Sequence, residues 1–213
     1  MAQKCIFFDL DGTITDSGEG IINSVIPALE HYGIPVPARE ALRVFVGPPL
    51  DQTFIRFGIP AQEAQNAIDI FRRRYAPIGV YENFPYPGIR EMLQTLRSQG
   101  HRLFIATSKP EDMANLVLDR FDLSQYFELI CGATVDGSRV EKHHVIEYLL
   151  QLAGGVENTL MVGDTHYDVL GAARHGIPTV GVTWGYGEEE DMKKAGAVAL
   201  VHTPEELIGY INS

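Results

Sequence analysis

Residues 5–13 read Cys-Ile-Phe-Phe-Asp-Leu-Asp-Gly-Thr, and this stretch decides the fold. Its apolar first half is typical of a strand that is buried on both faces of a parallel sheet. Side chains two positions apart on a strand share a face, so we expect Asp9 and Asp11 to project together from its carboxyl end. Gly12 then permits a sharp turn. Because ligands of open α/β sheets bind at this edge, the stretch predicts a functional site there and not a solvated turn.

The composition sets limits on the class of protein. The chain has 213 residues, of which 45% are hydrophobic and 21% charged, which is typical of a globular protein with a sizeable core. A net charge of -11 argues against a broad nucleic-acid-binding face but leaves room for a small phosphorylated ligand. No apolar run is long enough to cross a bilayer, so no membrane partner is expected. The strand close to Met1 leaves no room for a signal peptide, and both cysteines lie in apolar runs, so we predict a cytoplasmic location.

The segment after the first strand has a helical pattern. From Ile21 to Tyr75 apolar residues recur at helical spacing, interrupted by a stiff Gly47-Pro48-Pro49 loop, and no strand pattern is visible. The triplet 72–74, three arginines, is interpreted as a solvated helix face. We therefore predict an all-helical cap domain over residues 16–83, inserted into an α/β core domain formed by residues 1–15 and 84–213.

From Gly88 onward, helical and strand patterns alternate. This alternation predicts a Rossmann-like, mainly parallel sheet with helices on both faces. The later strands are predicted at 102–106, 129–131, 159–162, 178–182 and 198–201. Polar residues follow three strands of the sheet, and a lysine precedes a nearby helix; these residues are Asp9, Asp11, Thr107, Ser108, Asp164, Asp168 and Lys142.

This set of residues suits phosphoryl transfer. A carboxylate nucleophile divides the slow hydrolysis of a phosphate ester into two steps through an aspartyl-phosphate. A hard divalent cation must bridge the two anions, and Mg²⁺ held by Asp9, Asp164 and the backbone carbonyl of Asp11 fits best. Lys142 offsets the remaining negative charge, and Thr107 with the Ser108 amide holds a phosphoryl oxygen. The residues predicted to bind the phosphate are Gly12, Thr107, Ser108 and Lys142.

The order of these elements resembles the haloacid dehalogenase superfamily of aspartate-nucleophile phosphatases along the whole chain. The segment 9–13 resembles its first motif, Thr107 its second, Lys142 its third, and Gly163-Asp164 with Asp168 its fourth. The resemblance implies that Asp9 is the nucleophile and that Asp11 is first the acid and then the base. It also implies that Asp168 lies behind the metal ligands Asp9, Asp11 and Asp164. His143 and His144 follow Lys142 where proline is common, so Lys109 remains a rival for the third motif.

The resemblance also indicates a branch of the superfamily. Asp11 favours phosphate chemistry, because halide-displacing members lack this aspartate. The helical insertion resembles the subclass with a small α-helical cap, of the phosphoglycolate phosphatase and 5′-nucleotidase types. The segment 45–50 resembles a nucleotidase-like cap loop, and caps of this kind contact the leaving group. The predicted substrate-selecting residues are therefore Arg43, Phe45, Gly47 and Pro48.

Three functions remain open from the sequence. The leading hypothesis is hydrolysis of a small phosphorylated metabolite by a monomer or small homo-oligomer. The others are a phosphomutase acting on a sugar phosphate and a non-catalytic phosphate-sensing switch. Asp164 and Asp168 could instead cap the following helix. Trp184 and Tyr186 could border the active site or pack their loop, and packing is favoured. No role is assigned to the histidines at positions 143, 144 and 166.

Overall fold

The computed structural model describes residues 3–154 and 156–213. Its strands are β1 (Cys5–Phe8), β2 (Thr15–Asp16), β3 (Phe84–Pro85), β4 (Arg102–Pro110), β5 (Leu129–Ala133), β6 (Thr159–Gly163), β7 (Thr179–Val182) and β8 (Ala199–Val201). Its helices are α1 (Gly18–His31), α2 (Leu50–Arg56), α3 (Ala64–Tyr75), α4 (Ile89–Ser98), α5 (Glu111–Arg120), α6 (Lys142–Ala153), α7 (His166–Ala173), α8 (Glu189–Ala195) and α9 (Pro204–Asn212). Strands β5-β4-β1-β6-β7-β8 form one parallel sheet in that order. The predicted α/β fold class is confirmed, and β1 lies inside the sheet.

The unbroken apolar run of β1 follows from burial on both faces of the sheet. Ile6 and Phe8 belong to one core cluster, which α4, α5 and α9 cover. Cys5 and Phe7 belong to the cluster on the opposite face, under α6 and α7. The ring of Phe7 meets that of Phe104 edge-on, with centroids 5.4 Å apart. Burying an aromatic side chain of this kind stabilises the fold by about 1.5–3 kcal/mol, so β1 anchors both layers of the core.

A short antiparallel ribbon marks the crossing between the sheet and the helical insertion. Strand β2 pairs with β3, with Thr15 opposite Pro85 and Asp16 opposite Phe84. The prediction that residues 16–83 are all-helical was therefore wrong at Asp16, which lies in β2. Two-residue strands carry no readable alternation, which is why the pattern missed them. The predicted domain limit 15/16 falls within β2, and the limit 83/84 falls directly before β3.

The insertion between β2 and β3 is helical. It contains α1, α2 and α3, joined by short 3₁₀ turns that include Arg39–Phe45 and Gly79–Tyr81. The Phe45 ring lies 5.1 Å from that of Phe54 and 4.7 Å from that of Phe57. The apolar cluster of the insertion continues into one face of the sheet core. The insertion and the sheet thus share one apolar core on that face.

Three further observations refine the sequence predictions. Strand β4 continues to Pro110 instead of ending at Ala106, and α8 and α9 had not been predicted. The arginine triplet is not simply solvated, because Arg74 makes two hydrogen bonds of 2.9 Å to the carboxylate of Glu82. Across residues 3–154 and 156–213, every helix is too short or too polar to cross a bilayer.

Candidate active site

Three aspartates from neighbouring elements form a buried acidic cluster. Asp9 follows β1, Asp164 follows β6, and Asp168 lies in the first turn of α7. One carboxylate oxygen from each lies within 4.8 Å of the others. The cluster forms because β1 and β6 are adjacent and parallel, with Phe8 opposite Val162, so both strands end at the same edge. The predicted convergence of residues 9, 164 and 168 is therefore present.

Glycines let the chain pass close to this cluster. Gly12 has φ of +86°, and a Cβ at this position would lie 2.1 Å from Oδ2 of Asp164. A Cβ on Gly185 would lie 2.4 Å from the Cβ of the same aspartate. The amide of Gly12 donates to the carbonyl oxygen of Thr15 at 2.8 Å. The Gly12 amide is thus already hydrogen-bonded within the turn, and the phosphate-binding role of Gly12 stays a prediction. The absence of a side chain at Gly12 makes room for Asp164.

Asp164 and Asp168 are held by different partners. The Thr13 hydroxyl donates to Oδ1 of Asp164 at 3.2 Å, and the Tyr186 amide donates to Oδ2 at 2.8 Å. The amide and hydroxyl of Thr165 donate to Oδ2 of Asp168, which completes a capping box at the start of α7. Asp168 is therefore a helix cap as well as a member of the cluster. The loop that carries Tyr186 borders the cluster, which agrees with the less favoured of the two alternatives from the sequence.

Lys142 is the cation of the acidic cluster. It begins α6, its side chain is buried, and its Nζ lies 2.8 Å from Asp9 Oδ1 and 2.9 Å from Asp168 Oδ1. The same ammonium donates to the carbonyl oxygen of Ala106 at 2.9 Å. Burial lowers the pKa of a lysine, but the charges of Asp168 and Asp9 outweigh it and hold the pKa of Lys142 above its ordinary value. Lys142 is therefore positively charged and fully engaged.

One lysine does not neutralise three buried carboxylates. Burial, assisted by Asp168 and opposed by Lys142, raises the pKa of Asp9 to about 6. Burial and the charges of Asp168 and Asp9 raise the pKa of Asp164 well above its ordinary value. An additional cation would relieve this repulsion, and carboxylate oxygens are the donors that Mg²⁺ prefers. The residues present thus fit a magnesium ion, and the carbonyl of Asp11 as a further ligand stays a prediction.

Thr107 and Ser108 lie where β4 departs from regular pairing. The register with β5 shifts between Ala106 and Pro110. Such bulges re-aim side chains beside active sites. The buried Thr107 hydroxyl accepts a hydrogen bond from the Lys109 amide at 3.2 Å. Thr107 and Ser108 line the same cavity as Asp9 and Asp11, so this third strand end joins the site.

Lys109 holds the second aspartate of the first strand. Its buried Nζ lies 2.9 and 3.0 Å from the carboxylate oxygens of Asp11. The same ammonium donates to the Tyr75 hydroxyl at 2.5 Å. Burial lowers the pKa of Lys109, but Asp11 and Tyr75 reverse the shift and raise it above its ordinary value. Lys142 thus contacts Asp9 while Lys109 contacts Asp11 and α3, so the two rival lysines occupy separate positions.

A cavity of about 260 Å³ lies between the insertion and the sheet and reaches Asp9 and Asp11. Three of the four predicted substrate-selecting residues line it, namely Phe45, Gly47 and Pro48. Arg43 instead lies over the ring of Tyr186, 5.2 Å from its centroid.

Two of the histidines with no predicted role have contacts of their own. His143 is 3.1 Å from Glu141 and 2.8 Å from Arg174. The ring of His166 lies beside that of Tyr167, with centroids 4.1 Å apart. The cluster of Asp9, Asp164 and Asp168 is the candidate metal-binding group within the described residues.

Comparison with known proteins places the chain in a known family. The sequence profile described as haloacid dehalogenase-like hydrolase matches residues 6–182. A protein of Pseudomonas aeruginosa named 5′-nucleotidase is 41% identical, over 88% of this chain and 86% of its own length. A protein of Mycobacterium tuberculosis named tyrosine-protein kinase PtkA is 43% identical, over 94% of this chain and 69% of its own length. A crystal structure of a predicted phosphatase from Clostridium acetobutylicum superposes with a TM-score of 0.95 and 38% identity, and covers 100% of this chain and 99% of that chain.

Proposed function

The chain belongs to the haloacid dehalogenase-like hydrolase family and is a phosphatase of that family, and we propose that it hydrolyses small phosphomonoesters with Mg²⁺ through a phosphorylated Asp9. The observation that carries the proposal is the buried cluster of Asp9, Asp164 and Asp168 around the Lys142 ammonium. Its donors suit a hard cation, and its position at the carboxyl edge of the sheet suits a ligand.

In the proposed first step, a carboxylate oxygen of Asp9 attacks phosphorus and the bond to the ester oxygen breaks. Asp11 gives its proton to that oxygen, so the product leaves as a neutral alcohol. Thr107 and the Ser108 amide hold phosphoryl oxygens. Lys142 holds the attacking carboxylate in place, since its Nζ lies 2.8 Å from Asp9 Oδ1. The step leaves a phosphoryl group on Asp9 and a carboxylate on Asp11.

In the second step, water attacks the same phosphorus. The Asp11 carboxylate takes a proton from this water, the bond to Asp9 breaks, and inorganic phosphate leaves. Both aspartates then return to their starting forms, so the net reaction is ester plus water to alcohol plus phosphate. The ammonium of Lys109, within 3.0 Å of both Asp11 oxygens, orients the Asp11 side chain, which gives a proton in the first step and takes one in the second.

Magnesium has a defined place in the proposal. Asp9, Asp164 and the carbonyl of Asp11 would hold the ion, with Asp168 behind them. When bound, it neutralises charge between the nucleophile and the phosphoryl oxygens.

A second candidate is phosphoryl transfer to an acceptor other than water, the class to which the phosphomutase alternative belongs. The specific observation in its favour is the relative named tyrosine-protein kinase. It predicts that an added alcohol, sugar phosphate or tyrosine peptide receives the phosphoryl group while little free phosphate forms. The switch alternative predicts instead a phosphoprotein that persists for hours.

The partner of the proposed function is a small phosphorylated metabolite, not nucleic acid, because the net charge of -11 repels polyanions. A cytoplasmic location belongs to the same proposal, since Cys5 and Cys131 are buried free thiols, as expected in a reducing compartment.

The test is phosphate release from p-nitrophenyl phosphate by wild type and by Asp9→Asn. Wild type should require Mg²⁺ and lose activity with a chelator, and Asp9→Asn should lose at least about 10³-fold in kcat. Intact mass during turnover should show one added phosphoryl group on wild type and none on the variant. The exposed Asp119→Asn serves as the matched control and should behave as wild type. Activity of Asp9→Asn within tenfold of wild type would refute the mechanism.

A further inference from the structure

The wall of the cavity above Asp9 and Asp11 is mostly apolar. Side chains from both the insertion and the sheet domain contribute to it: Ile21, Phe45, Leu50, Phe71, Met113 and Val135. With a volume of about 260 Å³, the cavity offers more space than a two-carbon acid needs. Pockets with this kind of wall bind ligands whose bulk is apolar and whose few polar groups fix the orientation.

The buried cations beside this cavity are already engaged. Lys142 contacts Asp9, Asp168 and the carbonyl oxygen of Ala106. Lys109 contacts both oxygens of Asp11 and the Tyr75 hydroxyl. A second anionic group on the substrate would therefore have to compete with an existing ion pair for either ammonium.

Arg72 is the other cation on the cavity wall within residues 3–154 and 156–213. Its side chain is 40% exposed and lies 3.9 Å from Asp69. Asp112, which is exposed, lines the same cavity and adds a negative charge. A leaving group with its own carboxylate or phosphate would lose its hydration against the apolar side chains of this cavity. Only the exposed Arg72 would be available to compensate that charge.

We propose, on the premise of the phosphatase function above, that the leaving group is uncharged and carries a planar ring, as in a nucleoside 5′-monophosphate. The ring packs against the aromatic and aliphatic side chains of the wall, since aromatic faces gain most from such burial. Arg72 supplies hydrogen-bond donors and Asp112 an acceptor, which a base edge can use and a simple aryl ring cannot. Phosphoglycolate and pyrophosphate, whose leaving groups are anionic, are poor substrates.

The first test compares kcat/KM across substrates that share the phosphoryl group. Uridine and adenosine 5′-monophosphates should exceed 2-phosphoglycolate and pyrophosphate by at least about tenfold. O-phosphotyrosine provides an aryl leaving group that bears charges of its own and lacks a nucleobase. If phosphoglycolate or pyrophosphate equalled the nucleotides, or if phosphotyrosine exceeded them tenfold, the inference would be overturned.

The second test changes one wall residue and one matched residue on the same helix. Leu50 lines the cavity, whereas Ile55 on α2 is 42% exposed and lies off the wall. Leu50→Gln should raise KM for the nucleotides by about tenfold more than it raises KM for phosphoglycolate. Ile55→Gln should change neither substrate. An equal effect of Leu50→Gln on both substrates would contradict contact between the leaving group and this wall.

Turnover of p-nitrophenyl phosphate distinguishes failure of the proposed function from failure of this inference. If wild type fails to hydrolyse it in Mg²⁺, the proposed function itself fails. If wild type hydrolyses it but prefers anionic leaving groups, the function stands and this inference alone is refuted.

Discussion

Lys142 and Lys109 each bind one of the two aspartates that follow β1, but they are anchored in different ways. Lys142 contacts Asp9 and Asp168, both of which belong to the sheet domain. Lys109 contacts Asp11 on one side and the Tyr75 hydroxyl of the helical insertion on the other. The nucleophile side of the site, named for the proposed nucleophile Asp9, is thus held within the sheet portion of the chain. The acid–base side, named for the proposed role of Asp11, is completed by the insertion. Removing each lysine should therefore have different consequences.

Loss of Lys142 should have the largest effect. In Lys142→Met the carboxylates of Asp9 and Asp168 lose their buried cation, so we expect kcat for p-nitrophenyl phosphate to fall by about 10³-fold. Stability should fall as well, by about 3–5 kcal/mol in the free energy of unfolding without Mg²⁺, because a buried ion pair is broken. Steady-state kinetics and urea unfolding measure the two effects. The exposed Lys193→Met is the control, and a loss of kcat below tenfold would contradict the assignment.

Loss of Lys109 should have a smaller effect that depends on the leaving group. Lys109→Met leaves the nucleophile side intact but frees the carboxylate of Asp11. An alkyl phosphate needs a proton on its leaving oxygen, so its kcat should fall by about 10²-fold. p-Nitrophenolate leaves readily without a proton, and its kcat should fall much less. Equal losses for both substrates would show that Lys109 acts on the fold or on the phosphoryl group and not through Asp11.

The nucleophile side could be predicted because its signals are local. A buried run followed by aspartates two residues apart shows both the strand and the direction of its side chains, and a second strand ends in the same manner at Asp164. Parallel pairing then brings the strand ends together without further information. The sheet and the cluster of Asp9, Asp164 and Asp168 followed from such patterns.

The acid–base side depends on contacts between distant parts of the chain. The hydrogen bond between Tyr75 on α3 and Lys109 on β4 joins residues 34 positions apart, and no local pattern encodes it. The sequence did contain one signal that Lys109 lies near the site. Lys109 is two positions after Thr107, and side chains two positions apart on a strand lie on the same face. The short β2–β3 ribbon and the amide contact from Tyr186 to Asp164 lack even that, because they depend on backbone geometry.

Removing only the Tyr75 hydroxyl should be milder than removing Lys109. Tyr75→Phe keeps the ring that stacks on Phe71 with centroids 4.9 Å apart, and removes the contact between α3 and the ammonium. We expect kcat for an alkyl phosphate to fall about threefold and stability to fall by about 1 kcal/mol, the contribution of one hydrogen bond. Kinetics beside thermal unfolding measure both. Tyr32→Phe, which removes another hydroxyl of the insertion, should leave kcat unchanged, and a similar loss in both variants would count against coupling through Lys109.

The smallest expected effect concerns the insertion alone. Arg74 hydrogen-bonds Glu82 and holds the pKa of this carboxyl below its ordinary value, with burial opposing the shift. Because the folded-state pKa is depressed, the pair stabilises the fold above the unfolded pKa of about 4.3, and the contribution is lost as pH falls through the folded value. With both side chains 26% exposed, Glu82→Gln should lower the free energy of unfolding by at most about 1 kcal/mol at neutral pH.

Urea unfolding at several pH values measures this effect, and the difference between Glu82→Gln and wild type should shrink below about pH 4. At neutral pH kcat for p-nitrophenyl phosphate should be unchanged, because the pair does not contact the reacting aspartates. A difference that grew on acidification would contradict this assignment, and a fall in kcat would show that the nucleophile side depends on the insertion after all.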